Sequence, residues 1–228
     1  KKGILKKYKI DNLEVLVEKL KISTNSSLRE DVIDVMTTNE TYWFRDEYPF
    51  RYFKDNILPE LHDKSTKNIF HRGPIRIWSG ACSSGQEAYS LSMIYEEYME
   101  EMIDSPELEI IPRSASILGT DVSQQMIDAA KLGIYDRLSI VRGLTEDRRI
   151  KYFSENSSGL WDLKRSVRSR VNFKALNFID DFETLGRFDI IFCRNVLIYF
   201  AHDLKNEILK KLHASLNKGG YLCLGSSE

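Results

Sequence analysis

The stretch 75-IRIWSGACSSGQEAYSLSMIYEEY-98 begins as an apolar run, passes through six small residues and continues with helical periodicity. The first four residues, 75–78, predict a strand, and the pattern after Gly85 predicts a helix over 86–102. Between them, from Gly80 onward, there is almost no side-chain bulk. A strand, a small-residue turn and a helix in this order allow a ligand to lie against backbone amides at the start of the helix.

Short strands and helices alternate from this stretch to the end of the sequence. The further predicted strands are 116–120, 171–176, 188–193 and 219–225, and the further predicted helices are 123–132 and 203–216. This alternation predicts an α/β fold with a mostly parallel sheet and helices on both faces. The run 188-FDIIFC-193 is apolar almost throughout, which favours a central strand.

Residues 137–170 interrupt this alternation, because they are highly charged and too long for a simple crossover. A short helix at 145–153 and a small β-hairpin are predicted there, projecting from the sheet. We therefore predict an inserted subdomain at about 145–171, within an α/β domain that covers 63–228.

The N-terminal part of the sequence has helical periodicity up to about residue 38. The apolar positions of a first helix are Leu13, Leu16, Val17 and Leu20, and those of a second, capped by Asn25 or Ser27, are Leu28, Val32, Val35 and Met36. An aromatic-rich segment follows, which Pro49 is expected to break, and a further helix at about 50–61 is expected to end near Pro59 or slightly beyond it. Residues 1–62 are thus predicted to form a helical N-terminal domain with a linker.

The composition excludes several classes of protein. Hydrophobic residues make up 42% and charged residues 29%, as in ordinary globular proteins, and no apolar run approaches the ~20 residues of a membrane helix. The net charge of −1 provides no overall field for nucleic acid or an anionic membrane. Cys82, Cys193 and Cys223 are isolated and the four histidines are scattered, so neither a disulfide framework nor a metal site is expected. This pattern is typical of a reduced cytosolic compartment.

Three classes of ligand use a turn of this kind, and Glu87 discriminates between them. A P-loop requires Gly-Lys-Ser/Thr, whereas Gly85 is followed here by Gln86 and Glu87. A dinucleotide site requires the pattern GxGxxG, of which only Gly80 and Gly85 are present here, and Glu87 would repel a diphosphate. S-adenosylmethionine is cationic and lacks phosphate, so an acid beside the turn would attract it. The alternative is that the small residues serve only tight packing of strand against helix.

Polar residues also follow the other predicted strands. Asp121 is placed to accept hydrogen bonds from both ribose hydroxyls, or to cap the next helix, although Ser123 could cap it instead. Asn177 could pair with an adenine edge or simply form a turn. Arg194 and Asn195 end the most apolar strand. Because ligands of open α/β sheets bind at the carboxyl ends of the strands, these residues indicate one site along one edge.

Four stretches together resemble a known family. They are 39-NETYWFRD-46, 78-WSGACSSGQEAYS-90, 118-LGTDVS-123 and 192-FCRNVLIYF-200. In this order they are similar to the chemotaxis receptor methyltransferases, which methylate glutamate side chains of bacterial chemoreceptors. The resemblance implies a Rossmann-like class I methyltransferase sheet with helices on both faces, a small helical N-terminal domain and a small inserted β-subdomain.

The resemblance also implies a cofactor and roles for individual residues. The cofactor would be S-adenosylmethionine, with S-adenosylhomocysteine as product. Arg45 and Tyr199 would be the catalytic residues beside the transferred methyl, while Glu87 would hold the amino-acid end of the cofactor and Asp121 the ribose. The other implied cofactor contacts are Asn39, Thr41, Arg45 itself, Gly80, Ala81, Cys82, Met126, Asn177, Phe178, Arg194 and Asn195.

The implied partner is the cytoplasmic domain of chemoreceptors, with neither nucleic acid nor membrane insertion, and the implied location is the cytoplasm. Some features depart from the family pattern. The chain does not begin with Met, its N-terminal domain is short, and it stops before the last antiparallel hairpin, so a fragment is expected. Members that dock on a receptor tail have a longer glycine-containing loop than 153–163, so tail tethering is not expected.

Other interpretations of the same residues stay open. Arg45 could pair with Asp46 or Glu47 at the surface, and Tyr199 could be a core aromatic residue. The chain could methylate another protein or a small-molecule carboxylate. It could also be a non-catalytic module that senses S-adenosylmethionine, which the presence of both Arg45 and Tyr199 disfavours.

Overall fold

The computed structural model describes residues 2–22, 26–37, 39–67, 73–104 and 113–228, and its centre is a five-stranded sheet. The strands are β1 (Ile75–Gly80), β2 (Ala115–Asp121), β6 (Val171–Ala175), β7 (Phe188–Cys193) and β8 (Leu216–Leu224). They lie in the order β6-β2-β1-β7-β8, and every neighbouring pair is parallel. The predicted parallel sheet is confirmed. All six residues of β7 are buried, as expected for a strand that is paired on both sides.

Helices cover both faces of this sheet, as the alternation predicts. The crossover helices are α6 (Gln86–Ile103), α7 (Gln124–Leu132) and α11 (His202–Ala214). One apolar layer packs around Leu91 and Ile117 on one face, and a second packs around Trp78 and Ile208 on the other. Burial on both faces explains why the central strand β7 is an apolar run, whereas the edge strands β6 and β8 are more exposed and carry polar residues.

The described part of residues 2–37 forms the helices α1 (Lys2–Lys7), α2 (Leu13–Ile22) and α3 (Ser26–Met36). The predicted helical character is confirmed. The predicted cap Ser27 lies inside α3, and Asn25 lies outside the described residues. These helices share a small core of their own, made by the buried side chains of Ile4, Ile10, Leu16 and Leu28.

The helical segment before β1 is longer than predicted. It consists of α4 (Tyr48–Tyr52), a π-helical turn (Phe53–Ile57) and α5 (Leu58–Lys67) in direct succession. Pro49 lies in the first turn of α4, where its missing amide is not needed, so it starts the helix instead of breaking the segment. The prediction that the helix ends near Pro59 is wrong. Pro59 directly follows the wider π turn, where the hydrogen-bond register changes and a missing amide is accommodated.

A second, antiparallel sheet of three short strands forms the insertion between β2 and β6. Its strands are β3 (Ile134–Tyr135), β4 (Phe153–Glu155) and β5 (Trp161–Leu163), and its helices are α8 (Arg137–Val141), α9 (Glu146–Tyr152) and α10 (Arg165–Arg168). The predicted helix and hairpin are confirmed. Strand β3 lies before the range 145–171 and is too short to be visible as a periodic pattern. Within the described ranges, no helix has the length and apolar character needed to cross a membrane.

Candidate functional site

A cavity of about 440 Å³ lies at the carboxyl ends of β1, β2, β6 and β7. It is lined by residues from the ends of these strands, from the segment before α4 and from α3. Twelve of the fourteen predicted site residues contribute to its wall: Asn39, Thr41, Arg45, Ala81, Cys82, Glu87, Asp121, Asn177, Phe178, Arg194, Asn195 and Tyr199. The structure therefore brings the separate sequence motifs together around one space.

The other two predicted residues, Gly80 and Met126, stand behind the wall. A Cβ atom at Gly80 would lie 2.6 Å from the Phe178 ring, so the glycine allows that ring to pack closely. The Met126 sulfur lies 3.6 Å from the hydroxyl of Ser83. Both residues support the residues that line the cavity.

The small-residue turn after β1 combines strain with close packing. Ala81 and Ser83 have positive φ angles of 56° and 49°, and Gly85, at the start of α6, has a φ of 92°. A Cβ at Gly85 would also lie 3.0 Å from the Cβ of Ala130. Close packing therefore explains Gly85, whereas Ala81 and Cys82 line the cavity. The two interpretations of the small residues apply to different positions.

Asp121 fixes this turn and also lines the cavity. Its carboxylate accepts hydrogen bonds from the Ser83 amide at 2.8 Å and from the Ser123 amide at 3.0 Å. Burial raises the pKa of the Asp121 carboxyl, and these backbone amides oppose the rise. The hydroxyl of Ser123 caps α7 by accepting from the Met126 amide. Since a carboxylate offers about four acceptor positions, Asp121 has capacity for a ligand hydroxyl.

Glu87 is held between two donors at the start of α6. Its carboxylate accepts from the Ser79 hydroxyl at 2.8 Å and from Nη1 of Arg194 at 2.9 Å. Burial raises the pKa of the Glu87 carboxyl, while the Arg194 guanidinium and, more weakly, that of Arg45 oppose the rise. The side chain is 15% exposed, so the carboxylate is fixed in place yet open to the cavity.

Arg194 connects the sheet to the segment before α4. Its Nη2 donates to the carbonyl oxygen of Arg45 at 2.8 Å and to the carboxylate of Asp46 at 2.7 Å, in addition to the Glu87 contact. The side chain is only 1% exposed. Its buried Nε has no hydrogen-bond partner among the described residues, so the guanidinium has capacity for a further acceptor.

Arg45 and Tyr199 lie on the cavity wall, and neither the surface ion pair proposed for Arg45 nor the core position proposed for Tyr199 is observed. Among the described residues Arg45 forms no ion pair, because Asp46 pairs with Arg194 instead. One nitrogen of the Arg45 guanidinium donates to the carbonyl of Glu40 at 2.9 Å. The remaining N–H groups of the guanidinium can donate to a ligand in the cavity. Tyr199 is 64% exposed, so it is not a core residue. A charged fork and a phenol thus reach the same cavity.

The segment that carries Arg45 has an unusual backbone. Phe44, Asp46 and Glu47 all have positive φ angles, of 51°, 67° and 42°. Of the seven non-glycine residues with positive φ in the described part of the chain, six lie in this segment, in the turn after β1 or at Asn195. Each such residue costs of order 1–3 kcal/mol, and strain of this kind clusters at functional sites. All of these positions among the described residues except Lys9 therefore lie in segments that contribute to the cavity wall.

Several residues of the site were not predicted. Helix α3 contributes Val32, Ile33 and Met36 to the wall, and Thr37 follows directly after the helix. The apolar pattern of α3 is visible in the sequence, but periodicity does not reveal which domain a helix faces. The Ser79 hydroxyl donates to the Glu87 carboxylate from within β1. In the sequence, nothing distinguishes Ser79 from any other strand residue.

The charged groups of the wall fit the predicted cofactor. The carboxylates are those of Glu40, Glu87 and Asp121, and the guanidinium groups are those of Arg45 and Arg194. With their direct partners Arg142, which pairs with Glu40, and Asp46, which pairs with Arg194, carboxylates exceed guanidinium groups by one. This balance favours a ligand with positive charge and disfavours a diphosphate. The buried Glu87 carboxylate suits an ammonium group, and Asp121 suits a pair of hydroxyls. The residues present therefore fit S-adenosylmethionine.

Comparison with known proteins gives a consistent result. The family profile described as "CheR methyltransferase, SAM binding domain" matches residues 39–228. The chain is 44% identical over 225 residues to "Chemotaxis protein methyltransferase Cher2" of Pseudomonas putida, covering 99% of this chain and 78% of that protein. It is 46% identical, with the same coverage, to "Chemotaxis protein methyltransferase 1" of Pseudomonas aeruginosa. "The structure of PKMT2 from Rickettsia typhi" aligns with 79% of this chain and 25% of that chain, at a TM-score of 0.42 and 19% identity.

Proposed function

Because the chain belongs to the CheR methyltransferase family, we propose that it transfers methyl groups to glutamate side chains of chemoreceptors, forming glutamate methyl esters. The chain is an S-adenosylmethionine-dependent methyltransferase of chemotaxis. The proposal adds the chemical nature of the acceptor, the receptor partner, a cytoplasmic location and the roles of single residues.

One observation carries the assignment of the acceptor. Arg45 and Tyr199 reach the cavity that Glu87 and Asp121 also line, and Arg45 has no competing ion pair among the described residues. A planar guanidinium binds a carboxylate through two parallel hydrogen bonds. An acidic side chain is therefore the acceptor that this site suits best.

The residues of the wall would hold the cofactor at several points. Glu87 would pair with its ammonium group, Asp121 would accept from the ribose hydroxyls, and Asn177 with Phe178 would flank the adenine. Asn39, Thr41 and Asn195 would complete this wall. When bound, S-adenosylmethionine supplies an electrophilic methyl group on a sulfonium cation.

The acceptor requires orientation and not deprotonation. A glutamate carboxyl, with an ordinary pKa of about 4.3, is already ionised near neutral pH, so no general base is needed. Arg45 would orient this carboxylate, and the Tyr199 hydroxyl would donate to its second oxygen. Because the negative charge disappears during the transfer, tight binding of the anion by Arg45 would oppose the reaction. Positioning and exclusion of water, to which Val32 and Ile33 contribute, would then supply the rate.

The loop between β4 and β5 supports docking without a receptor tail. The Asn156 amide donates to the Leu160 carbonyl at 2.8 Å, and the Gly159 amide donates back to Asn156 at 3.0 Å. This closed turn presents a short edge. We therefore place the receptor contact at the mouth of the cavity and leave tail tethering out of the proposal.

The test is transfer of a radioactive methyl group from S-adenosylmethionine into purified receptor cytoplasmic domain, measured as base-labile label released as methanol. We expect Arg45→Ala to lower kcat about 100-fold and Arg45→Lys to restore only part of it, because lysine lacks the planar fork. S-adenosylhomocysteine affinity, measured by calorimetry, should fall far less than kcat in either variant, because Arg45 is only one of several implied cofactor contacts.

Arg51→Ala is the matched control, since Arg51 lies on α4 and is exposed. It should methylate like the unaltered chain. The proposal would be wrong if Arg45→Ala methylated receptor at the normal rate, or if label appeared only on residues other than glutamate.

A further inference from the structure

The loop that leaves β7 carries part of the cavity wall but is poorly held by its own residues. Asn195, Val196 and Tyr199 line the cavity, and the short 3₁₀ helix Leu197–Tyr199 follows directly. Val196, the residue that starts this helix, provides no side-chain cap. Asn195 has a positive φ of 58°, which is unfavourable for a residue with a side chain. The position of this loop therefore depends on contacts from elsewhere.

Glu228 provides these contacts through its side-chain carboxylate. One oxygen accepts from the amides of Val196 at 2.6 Å and Leu197 at 3.0 Å, and the other accepts from the amide of Asn195 at 3.0 Å. The second oxygen also accepts from the amide of Gly225 at 2.8 Å. A single carboxylate thus binds three successive amides of the loop and one of its own turn.

The sheet explains how a residue distant in the sequence reaches this loop. β8 lies parallel to β7, with Leu224 opposite Cys193. The turn after β8 therefore lies beside the loop after β7. A Cβ at Gly225 would overlap the Glu228 carboxylate and would lie 3.1 Å from the Asn195 nitrogen. The approach of Glu228 requires a glycine at 225.

We propose that Glu228 is a positioning residue of the methyl-transfer site. Its carboxylate fixes the backbone of 195–197 and thereby the places of Asn195 and Tyr199 on the cavity wall. Hydrogen bonds from amides to an ionised carboxylate are stronger than those between neutral groups, so this contact can hold a strained loop. The inference rests on the proposed function for its catalytic meaning.

The test compares Glu228→Gln and Gly225→Ala with the unaltered chain. The glutamine retains one acceptor oxygen but turns an amide group toward the loop, and the alanine displaces the carboxylate without altering it. We expect both variants to weaken S-adenosylhomocysteine binding, and to raise the KM for S-adenosylmethionine, by about tenfold or more, the value of one lost charged hydrogen bond. Hydrogen exchange measured by mass spectrometry should accelerate in peptides that cover 194–200.

The double variant, Glu228→Gln with Gly225→Ala, shows whether the two substitutions act through the same contact or through unrelated ones. If both changes act through the same carboxylate, their combined effect on affinity will be clearly smaller than the product of the single effects. Glu207→Gln is the control, because Glu207 is exposed on α11, and it should leave affinity and exchange unchanged.

A purely structural role predicts another result. It would lower the thermal midpoint and the active fraction while KM, affinity and exchange in 194–200 stayed normal, and that result would overturn the proposal. Binding and exchange require no methyl acceptor. If receptor glutamates are not methylated but these two readouts still respond, the proposed function fails and the positioning role of Glu228 stands.

Discussion

The turn after β1 and the segment of residues 39–47 lie on the same cavity, but different kinds of contact hold them. The turn is attached to the adjacent strand. Its Cys82 amide donates to the carbonyl of Thr120 at 2.9 Å, and its Ser83 amide donates to Asp121. Its geometry is thus a direct continuation of the pairing between β1 and β2.

The segment of residues 39–47 is attached through contacts distant in the sequence. The Phe44 amide donates to the hydroxyl of Ser90, the Trp43 amide donates to the carbonyl of Arg142, and the buried Arg194 binds the carbonyl of Arg45. The half of the site to which we assign most cofactor contacts is therefore part of the sheet, while Asn39 and Thr41 add contacts from the other half. The half that suits the acceptor is assembled by a few side chains, so it should respond more strongly to single substitutions.

The largest effect is expected for Arg194→Ala, which removes the main connection between the two halves. The variant leaves the Glu87 carboxylate buried without its cation, and breaking a buried pair in this way costs about 3–5 kcal/mol of unfolding free energy. Urea denaturation measures this loss. Arg137→Ala, at an exposed position, should stay within about 0.5 kcal/mol of the unaltered chain. Equal stability of the two variants would show that Arg194 does not join the halves.

A smaller loss is expected where the inserted subdomain contacts the Arg45 segment. Gly143 has a φ of 88°, and a Cβ there would overlap the carbonyl oxygen of Trp43. Gly143→Ala should cost about 3 kcal/mol, because the strain of a left-handed alanine is joined by overpacking. The matched control is Gly159→Ala, which has a φ of 73° and open space around it, and should cost only about 1–2 kcal/mol. Similar thermal midpoints for the two variants would rule out the clash.

The cofactor half is probed by Glu87→Gln, which keeps the shape and removes the charge. We expect S-adenosylhomocysteine to bind about tenfold more weakly, about 1.4 kcal/mol, because its ammonium group loses the facing carboxylate. Calorimetric titration measures the change, and Glu207→Gln provides the control at an exposed glutamate. Retention of full affinity would mean that Glu87 serves only to balance Arg194.

The pH dependence of the unfolding free energy should report on His62, a residue that belongs to neither half of the site. His62 is buried on α5, with its ring 5.4 Å from that of Tyr98, and desolvation, followed by the nearby Arg113 charge, lowers its pKa to about 4. The pKa of a histidine in the unfolded chain is about 6.5, so between pH 4 and pH 6.5 the unfolded chain binds more protons than the folded one. The contribution of His62 to the unfolding free energy should be nearly complete above pH 6.5, and it should fall by about 2 kcal/mol as the pH drops toward 4. In denaturant titrations His62→Gln should lose this part of the pH dependence, while the exposed His202→Gln should keep it.

The sequence predicts the sheet well because its strands are buried on both faces. Strands β1, β2 and β7 are mostly buried and mostly apolar in sequence, and polar residues stand at or after their carboxyl ends. Glu87, Asp121 and Arg194 could therefore be assigned to one edge before any coordinates were considered. Strand β3 could not be predicted in this way, because a strand of two residues is too short to show a periodic pattern.

The unpredicted parts of the site depend on tertiary position. The sequence of α3 indicates which of its side chains are apolar, but it does not indicate that Val32 and Ile33 face the cavity. Ser79 and Glu228 act on residues that are neighbours only in the folded sheet, across strands or loops. No local pattern encodes such a contact. A helix that continues past Pro59 is likewise outside what local propensity indicates, because it depends on the π turn before it.

The contact between Arg194 and the Arg45 carbonyl joins positions that are 149 residues apart in the chain. At a synthesis rate of about 5–20 residues per second, the ribosome adds the guanidinium roughly 7–30 seconds after the segment that it secures. During translation the growing polypeptide thus carries an unfinished pocket, and the wall to which we assign the acceptor is secured only as β7 joins the sheet.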